Sequence, residues 1–153
     1  MAEALLEAKA ARDLDEVPVG AVLVDSGGKI IGRGRNGPIG AHDPTAHAEI
    51  AAIRAACAAV SNYRLPPGSV LVATLEPCLM CLGAAVHARL GSLVFGAHDP
   101  KSGAVESCLD GLNLPFLNHR LPFLSGVRAE ECAGLLTVFF QAKRRQANAG
   151  INP

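Results

Sequence analysis

Apolar and polar positions along the chain fall into blocks that switch between helical and extended periods. Ala2 to about Leu14 is Ala-rich and favours helix. Val17 to Val24 is a β-branched apolar run, Asp25-Ser26-Gly27-Gly28 follows, and a second run extends from Lys29 to Arg35. That spacing predicts a hairpin with a four-residue connection. From Thr45 to Val60 apolar residues recur at i, i+3, i+7 and i+10, the stripe of a helix. Ser69 to Leu75 is apolar at nearly every position, as in a strand covered on both faces. A helix from about Pro77 to Arg89 and a strand from Ser92 to Ala97 come next. Beyond them lie a loop-rich stretch with a short helix expected near Val105 to Leu112, a short strand over Leu121 to Leu124, and a closing helix from Arg128 to about Ala147. Strands alternating with helices in this order imply an α/β fold whose sheet has parallel members and helices on both faces.

The chain has 153 residues, half of them hydrophobic, which suffices for a core without disulfide staples. Neither repeats nor linkers divide it, so a single domain over residues 1–153 is expected. Gly, Pro or charge interrupts every apolar run well before the ~18 residues of a membrane span. The N-terminus, with Glu3, Glu7, Lys9 and Arg12, has no basic region leading into an apolar one, so a cytoplasmic protein is expected. Fourteen basic residues balance fourteen acidic ones, which argues against large non-specific affinity for nucleic acid. The basic residues do gather at Lys143-Arg144-Arg145. A solvated helix end, where cations favour the dipole, accounts for the run as readily as a phosphate contact does.

Five cysteines, an odd number with one C-x-x-C pair, fit a reducing compartment and a metal or redox site better than a disulfide framework. Cys57 lies on the apolar stripe with Ile50, Ile53 and Val60, and Cys132 lies inside the last helix, so both read as core. Cys108 has no assignable partner. Cys78 and Cys81 follow Pro77, a residue favoured at the first helical position, and would share a helix face near its N-terminus. There the helix dipole favours thiolate. Alone, the pair admits a zinc site, a redox pair or coincidence. His47, just after Pro44-Thr45 at another helix start, shifts the balance: one imidazole and two thiolates make three zinc ligands and leave a fourth position open, as at a catalytic zinc. Glu49, two residues on, cannot share the ligand face of a regular helix. It can instead move a proton between water and substrate. Without the ligands, Glu49 would be only a favourable acid in a first turn. The combination of His47-Ala48-Glu49 with Pro77-Cys78-Leu79-Met80-Cys81 is the known H-x-E and P-C-x-x-C signature of zinc deaminases acting on nucleobases.

Over nearly its whole length the sequence resembles the bacterial tRNA-specific adenosine deaminases (TadA-type). The resemblance runs through residues 16–22, Asn36 with Pro38-Ile39-Gly40, residues 42–50, Asn62-Tyr63-Arg64-Leu65, and residues 74–81. It continues through Val94-Phe95-Gly96-Ala97, Asn118-His119-Arg120, Glu131-Cys132-Ala133 and Phe139-Phe140. It implies a three-layer α/β/α fold of the cytidine-deaminase type around a mixed sheet of about five strands, a homodimer, and one zinc per chain. The implied reaction is hydrolytic conversion of the wobble adenosine to inosine in a tRNA anticodon stem-loop. The resemblance assigns substrate contacts to Asn36, Ala48, Asp99, Lys101, Asn118 and Arg144. The chain departs from the family where Gly37 and His98 stand in place of frequent arginines, and in its short C-terminal stretch, residues 148–153. A deaminase of a free base or nucleotide, of guanine or cytosine type, would share the zinc site without the RNA-facing segments. A catalytically inactive deaminase-like subunit could dispense with Glu49, and a thioredoxin-like protein would leave His47 and Glu49 unexplained.

Overall fold

A computed structural model describes residues 1–149; the end of the C-terminal stretch, 150–153, lies outside the described residues. Helix α1 (Ala2–Asp13) precedes strands β1 (Gly20–Val24) and β2 (Ile30–Arg35), the four-residue helix α2 (Pro38–Ala41) and helix α3 (Ala48–Ala59). Strand β3 (Val70–Leu75), helix α4 (Leu79–His87), strand β4 (Ser92–Ala97), strand β5 (Phe123–Leu124) and helix α5 (Ala129–Ala149) complete the order. The five strands form one mixed sheet in the order β2-β1-β3-β4-β5. β1 pairs antiparallel with β2 and β3, while β3–β4 and β4–β5 are parallel. This is the three-layer arrangement expected from the resemblance.

Side-chain alternation assigns the two faces. Ala21 and Leu23 of β1, Leu71 and Ala73 of β3, and Leu93 and Phe95 of β4 pack with Ala52, Ile53 and Ala56 of α3 and Leu82 and Ala85 of α4. On the other face Val22 and Val72 meet Ala4 of α1, while Ala97 meets Leu5 and Cys132 of α5. Because side chains point to opposite faces every second residue, one strand feeds both cores. β2 is different: at Gly32 and Gly34 it lies so close to α3 that a side chain does not fit. A Cβ on Gly34 would sit 2.0 Å from the Ala48 carbonyl oxygen and 2.4 Å from the Ala52 nitrogen. Gly34→Ala must therefore push α3 off the sheet just where that helix begins. We expect a destabilisation of about 2–3 kcal/mol, a fall of roughly 5–10 °C in Tm on thermal melting.

Several boundaries differ from the sequence expectation. β1 starts at Gly20 instead of Val17, because Pro18 has no N–H to give a ladder and the Val19 N–H turns back to the Val17 carbonyl at 2.7 Å. α3 and α4 start at Ala48 and Leu79, later than Thr45 and Pro77, so His47 and Cys78 are the capping residues in extended backbone. The helix expected at Val105 to Leu112 is instead a run of turns ending in a 3-10 turn at Gly111–Asn113. The last strand holds only Phe123 and Leu124, and α2 has no counterpart in the sequence expectation. Lys143 is also not the free cation that an exposed helix end suggests. Its ammonium donates to Asp15 at 2.5 Å and lies 5.6 Å over the Phe139 ring, tying α5 to the turn after α1. Among the described residues, no helix is long and apolar enough to cross a membrane.

Candidate active site

The first turns of α3 and α4 point toward one another across the end of the sheet. His47 caps α3, and its carbonyl accepts the Ala51 N–H at 3.0 Å. The approach to it is fixed by Asp43, whose side chain accepts from the Thr45 N–H at 2.8 Å and the Thr45 hydroxyl at 2.7 Å. Cys78 caps α4 and Cys81 lies in its first turn, buried. The His47 Nδ1 stands 3.6 Å from each of the two sulfurs, which are 3.6 Å from one another. These are the edges a tetrahedral zinc dictates: Zn–S near 2.3 Å and Zn–N near 2.1 Å give S–S edges of about 3.8 Å and S–N edges of about 3.6 Å. The three donors thus have the spacing of one face of a zinc tetrahedron, and the donor set fits that metal. Among the described residues they are the one group of three His, Cys, Asp or Glu side chains close enough to hold an ion.

Charge in the site is set by the thiols and one acid. The Cys81 thiol donates to Cys78 and pulls the Cys78 pKa down to about 5, against the cost of burial; the N–H groups of Cys81 and Met80 and the charge of His47 act in the same sense. That same bond, with burial, drives the Cys81 pKa far up. A metal bound by both sulfurs would displace the shared proton to solvent, so its affinity would rise with pH. Glu49, 4 % exposed, is pushed up to about 7, first by burial and further by the Cys78 charge, despite its bond to its own N–H and the pull of His47. Such a carboxyl is poised to exchange a proton near neutral pH.

A cavity of about 180 Å³ opens beside these groups and is lined by His47, Glu49, Cys78, Asn36, Asp99 and Ser102, with Val17, Val19, Leu75 and Glu76. Asn36 is held through its N–H to the Val19 carbonyl at 3.0 Å, and the next residue bonds the Ala46 carbonyl at 3.0 Å. The Asn36 loop and the run into His47 therefore move as one. Buried Glu16 accepts the Gly40 N–H at 2.7 Å and anchors α2 behind that loop. Asp99 turns its carboxylate onto its own loop, accepting from the Lys101 N–H at 2.9 Å and the Ser102 hydroxyl at 2.6 Å. Lys101 is exposed on an adjoining cavity of about 340 Å³ that also touches Asp99, Ser102, His98 and Phe140. Ala48 is fully buried in the core under Gly34.

Asn118 and Arg144 do not reach the cavity of His47. Asn118 is exposed and accepts from the Arg89 guanidinium at 2.7 Å, on a hollow between α4 and the 111–118 loop, and Arg144 is exposed on α5. His98 pairs with Glu106 at 3.0 Å. Cys57 packs half-buried against the main core with its thiol toward the Tyr63 carbonyl, Cys132 is buried, and Cys108 is exposed. Glu76 and Ser102 are the polar members of the cavity wall that sequence reasoning passed over. Glu76 carried a signal: an acid placed directly at the end of a strand that is apolar at nearly every position. It is held at about 2, because bonds from the Glu106, Ser107 and Asp99 N–H groups and the Ser107 hydroxyl outweigh the cost of its burial.

Residues 1–97 match the family described as the cytidine and deoxycytidylate deaminase zinc-binding region, the class that the donor triangle and the sheet define. The chain is 50% identical over 146 residues to a protein of Haemophilus influenzae named tRNA-specific adenosine deaminase, covering 95% of this chain and 84% of that one. A protein of the same name from Agrobacterium fabrum is 48% identical over 92% of this chain and 91% of its own length. A solved structure from studies of A-to-I editing by tRNA:A34 deaminases at the wobble position superposes with a TM-score of 0.85 at 48% identity, covering 89% of this chain and 97% of the other. The chain belongs to the tRNA-specific adenosine deaminase family.

Proposed function

We propose that the chain converts the wobble adenosine of a tRNA anticodon stem-loop to inosine by hydrolysis, with one zinc per chain held by His47, Cys78 and Cys81. The observation that carries this reading is the donor triangle with a buried acid beside it on one cavity, in a chain half identical to a protein named for that substrate. His47, Cys78 and Cys81 would hold the zinc, which when bound would lower the pKa of a water toward neutrality and so provide the nucleophile. Glu49 carries two protons in turn: it takes the one the attacking water gives up and passes it to the purine ring nitrogen beside the attacked carbon, then takes the one left on the new hydroxyl and passes it to the departing amine. A C–O bond forms, the C–N bond breaks, and ammonia leaves. Asn36 offers the base edge both a donor and an acceptor. Asp99 and Lys101 serve the flipped nucleotide and its neighbours, and Asn118 and Arg144 serve the outer stem-loop; Ala48, expected among these contacts, is instead buried beneath Gly34 and its side chain packs the core.

A base in a loop is cheap to extrude, which suits a chain with no net positive charge. Cytoplasmic location follows from the substrate. A homodimer is supported by the apolar hollow beside α4, where Leu79 and Phe116 are 57 % and 75 % exposed. Incubating a minimal anticodon stem-loop with adenosine at the wobble position, read as inosine, tests the reaction. For the RNA contacts, Arg144→Ala with Arg145→Ala is the informative change, because Lys143 belongs to the fold. The pair should weaken stem-loop binding and lower the slope of log affinity in log salt by roughly 0.7 for each phosphate that is no longer neutralised. An unchanged slope in a salt titration would leave these arginines as a solvated helix face.

A further inference from the structure

Glu76 stands between β3 and the Pro77-Cys78 corner and is 2 % exposed. All of its side-chain bonds go to one segment, residues 99–107. One carboxylate oxygen accepts the N–H groups of Val105 at 3.0 Å, Glu106 at 2.8 Å and Ser107 at 3.0 Å. The other accepts the Asp99 N–H at 3.1 Å and the Ser107 hydroxyl. Five donors converge on a group that only accepts, so neither an amide nor an apolar side chain can replace it. The segment is pressed against it: a Cβ on Gly103 would fall 2.4 Å from the Glu76 carboxylate and 2.7 Å from the Asp99 carbonyl oxygen. Gly103 bridges Cys78, and the Ala104 N–H donates to the Pro77 carbonyl at 2.9 Å. The segment is thereby fixed directly to the stretch that carries a zinc ligand.

We propose that Glu76 is a positioning residue, whose carboxylate sets the 99–107 loop so that Asp99 and Ser102 wall the substrate cavity. Ala104 and Val105 are buried in the main core and the Ala104 N–H bonds the Pro77 carbonyl, whereas the flanking residues 100–102 and 106–107 are exposed. The Asp99 and Ser107 N–H groups and the Ser107 hydroxyl, on either side of that anchor, end on the Glu76 carboxylate, so the placement of both flanks depends on one side chain. Glu76 also borders the cavity, but both of its carboxylate oxygens are taken up by loop donors, so it acts through the loop. The kinetic meaning of this role rests on the proposed reaction, whereas the loop anchoring itself can be measured without turnover.

Glu76→Gln keeps the volume but sets an amide NH2 against the Asp99 N–H, which is left without an acceptor. We expect the KM for the stem-loop to rise about tenfold or more with kcat within about threefold of wild type. Zinc per chain should be unchanged, and amide exchange at Asp99 and residues 105–107 should quicken by about tenfold. Combined with Asp99→Ala, the effects on KM should be less than additive, because both changes act on one loop position. Ser107→Ala removes a single bond from an exposed residue and should shift KM and exchange in the same direction by less. It keeps the test open if Glu76→Gln does not fold. A fall in kcat at unchanged KM, in step with zinc or folded fraction, would overturn the proposal, as would additive effects with Asp99→Ala. If wild-type protein fails to convert the stem-loop, the proposed reaction falls instead, and the exchange rates alone still decide whether Glu76 holds the loop.

Discussion

Glu49→Ala and Glu49→Gln are expected to lower the deamination rate at least ~100-fold while zinc content and fold persist. The carboxylate lies on the cavity with His47 and Cys78 and is buried. Hydrolysis of an amino-purine requires one group to collect a proton from water and release it to nitrogen within the same site. A carboxyl raised to about 7 by burial can do both near neutral pH. Glutamine keeps the shape and cannot carry the proton. Because burial already disfavours the charged form, replacing the acid should cost the fold little. The comparison is a single-turnover rate beside a zinc assay and a melting curve. Variants at near wild-type rate would move the proton to some other group.

Cys78→Ala and Cys81→Ala are expected to have the second large effect, removal of most zinc and with it all measurable turnover. The 3.6 Å triangle provides three protein ligands, and each substitution leaves two. Metal analysis after purification should fall from about one zinc per chain in wild type to a small fraction in either variant. Cys57→Ala and Cys132→Ala are the controls. Cys57 packs beside the main core and Cys132 fills the space between Gly96 and Met1, so truncating either should cost about 1–2 kcal/mol of stability and no zinc. Full occupancy in both Cys78 and Cys81 variants would contradict the ligand assignment.

Much of this site is legible from residue types and spacing. Two helix starts, one with His47 and one with Cys78 and Cys81, define the donors, and the apolar runs of the strands define the sheet that brings those starts together. What spacing does not show is how the ends are built. His47 and Cys78 cap their helices in extended backbone, a distinction of one or two residues that propensity does not resolve. The run from Val105 to Leu112 has helix-compatible residues, yet further along it the Cys108 N–H bonds the Gly103 carbonyl and the Gly111 N–H bonds the Ala104 carbonyl, so the bonds do not follow the helical i to i−4 pattern. The Glu76 carboxylate, about thirty residues away, holds the start of the run, a partner that local preference does not reveal. Lys143 shows the same limit, since its partner Asp15 is distant in sequence. The wider RNA-facing residues are the least legible, because Asn, Asp and Arg in loops and at helix ends serve turns and solvent as often as ligands.

The substrate is tested most directly by setting an anticodon stem-loop with adenosine at the wobble position against free adenosine, adenine, guanine and cytosine at equal concentration with the zinc-loaded protein. Inosine should form at the wobble position of the stem-loop with little conversion of the free compounds, since phosphates and neighbouring bases supply most of the binding. Ready deamination of a free base, with no preference for the stem-loop, would contradict an RNA substrate.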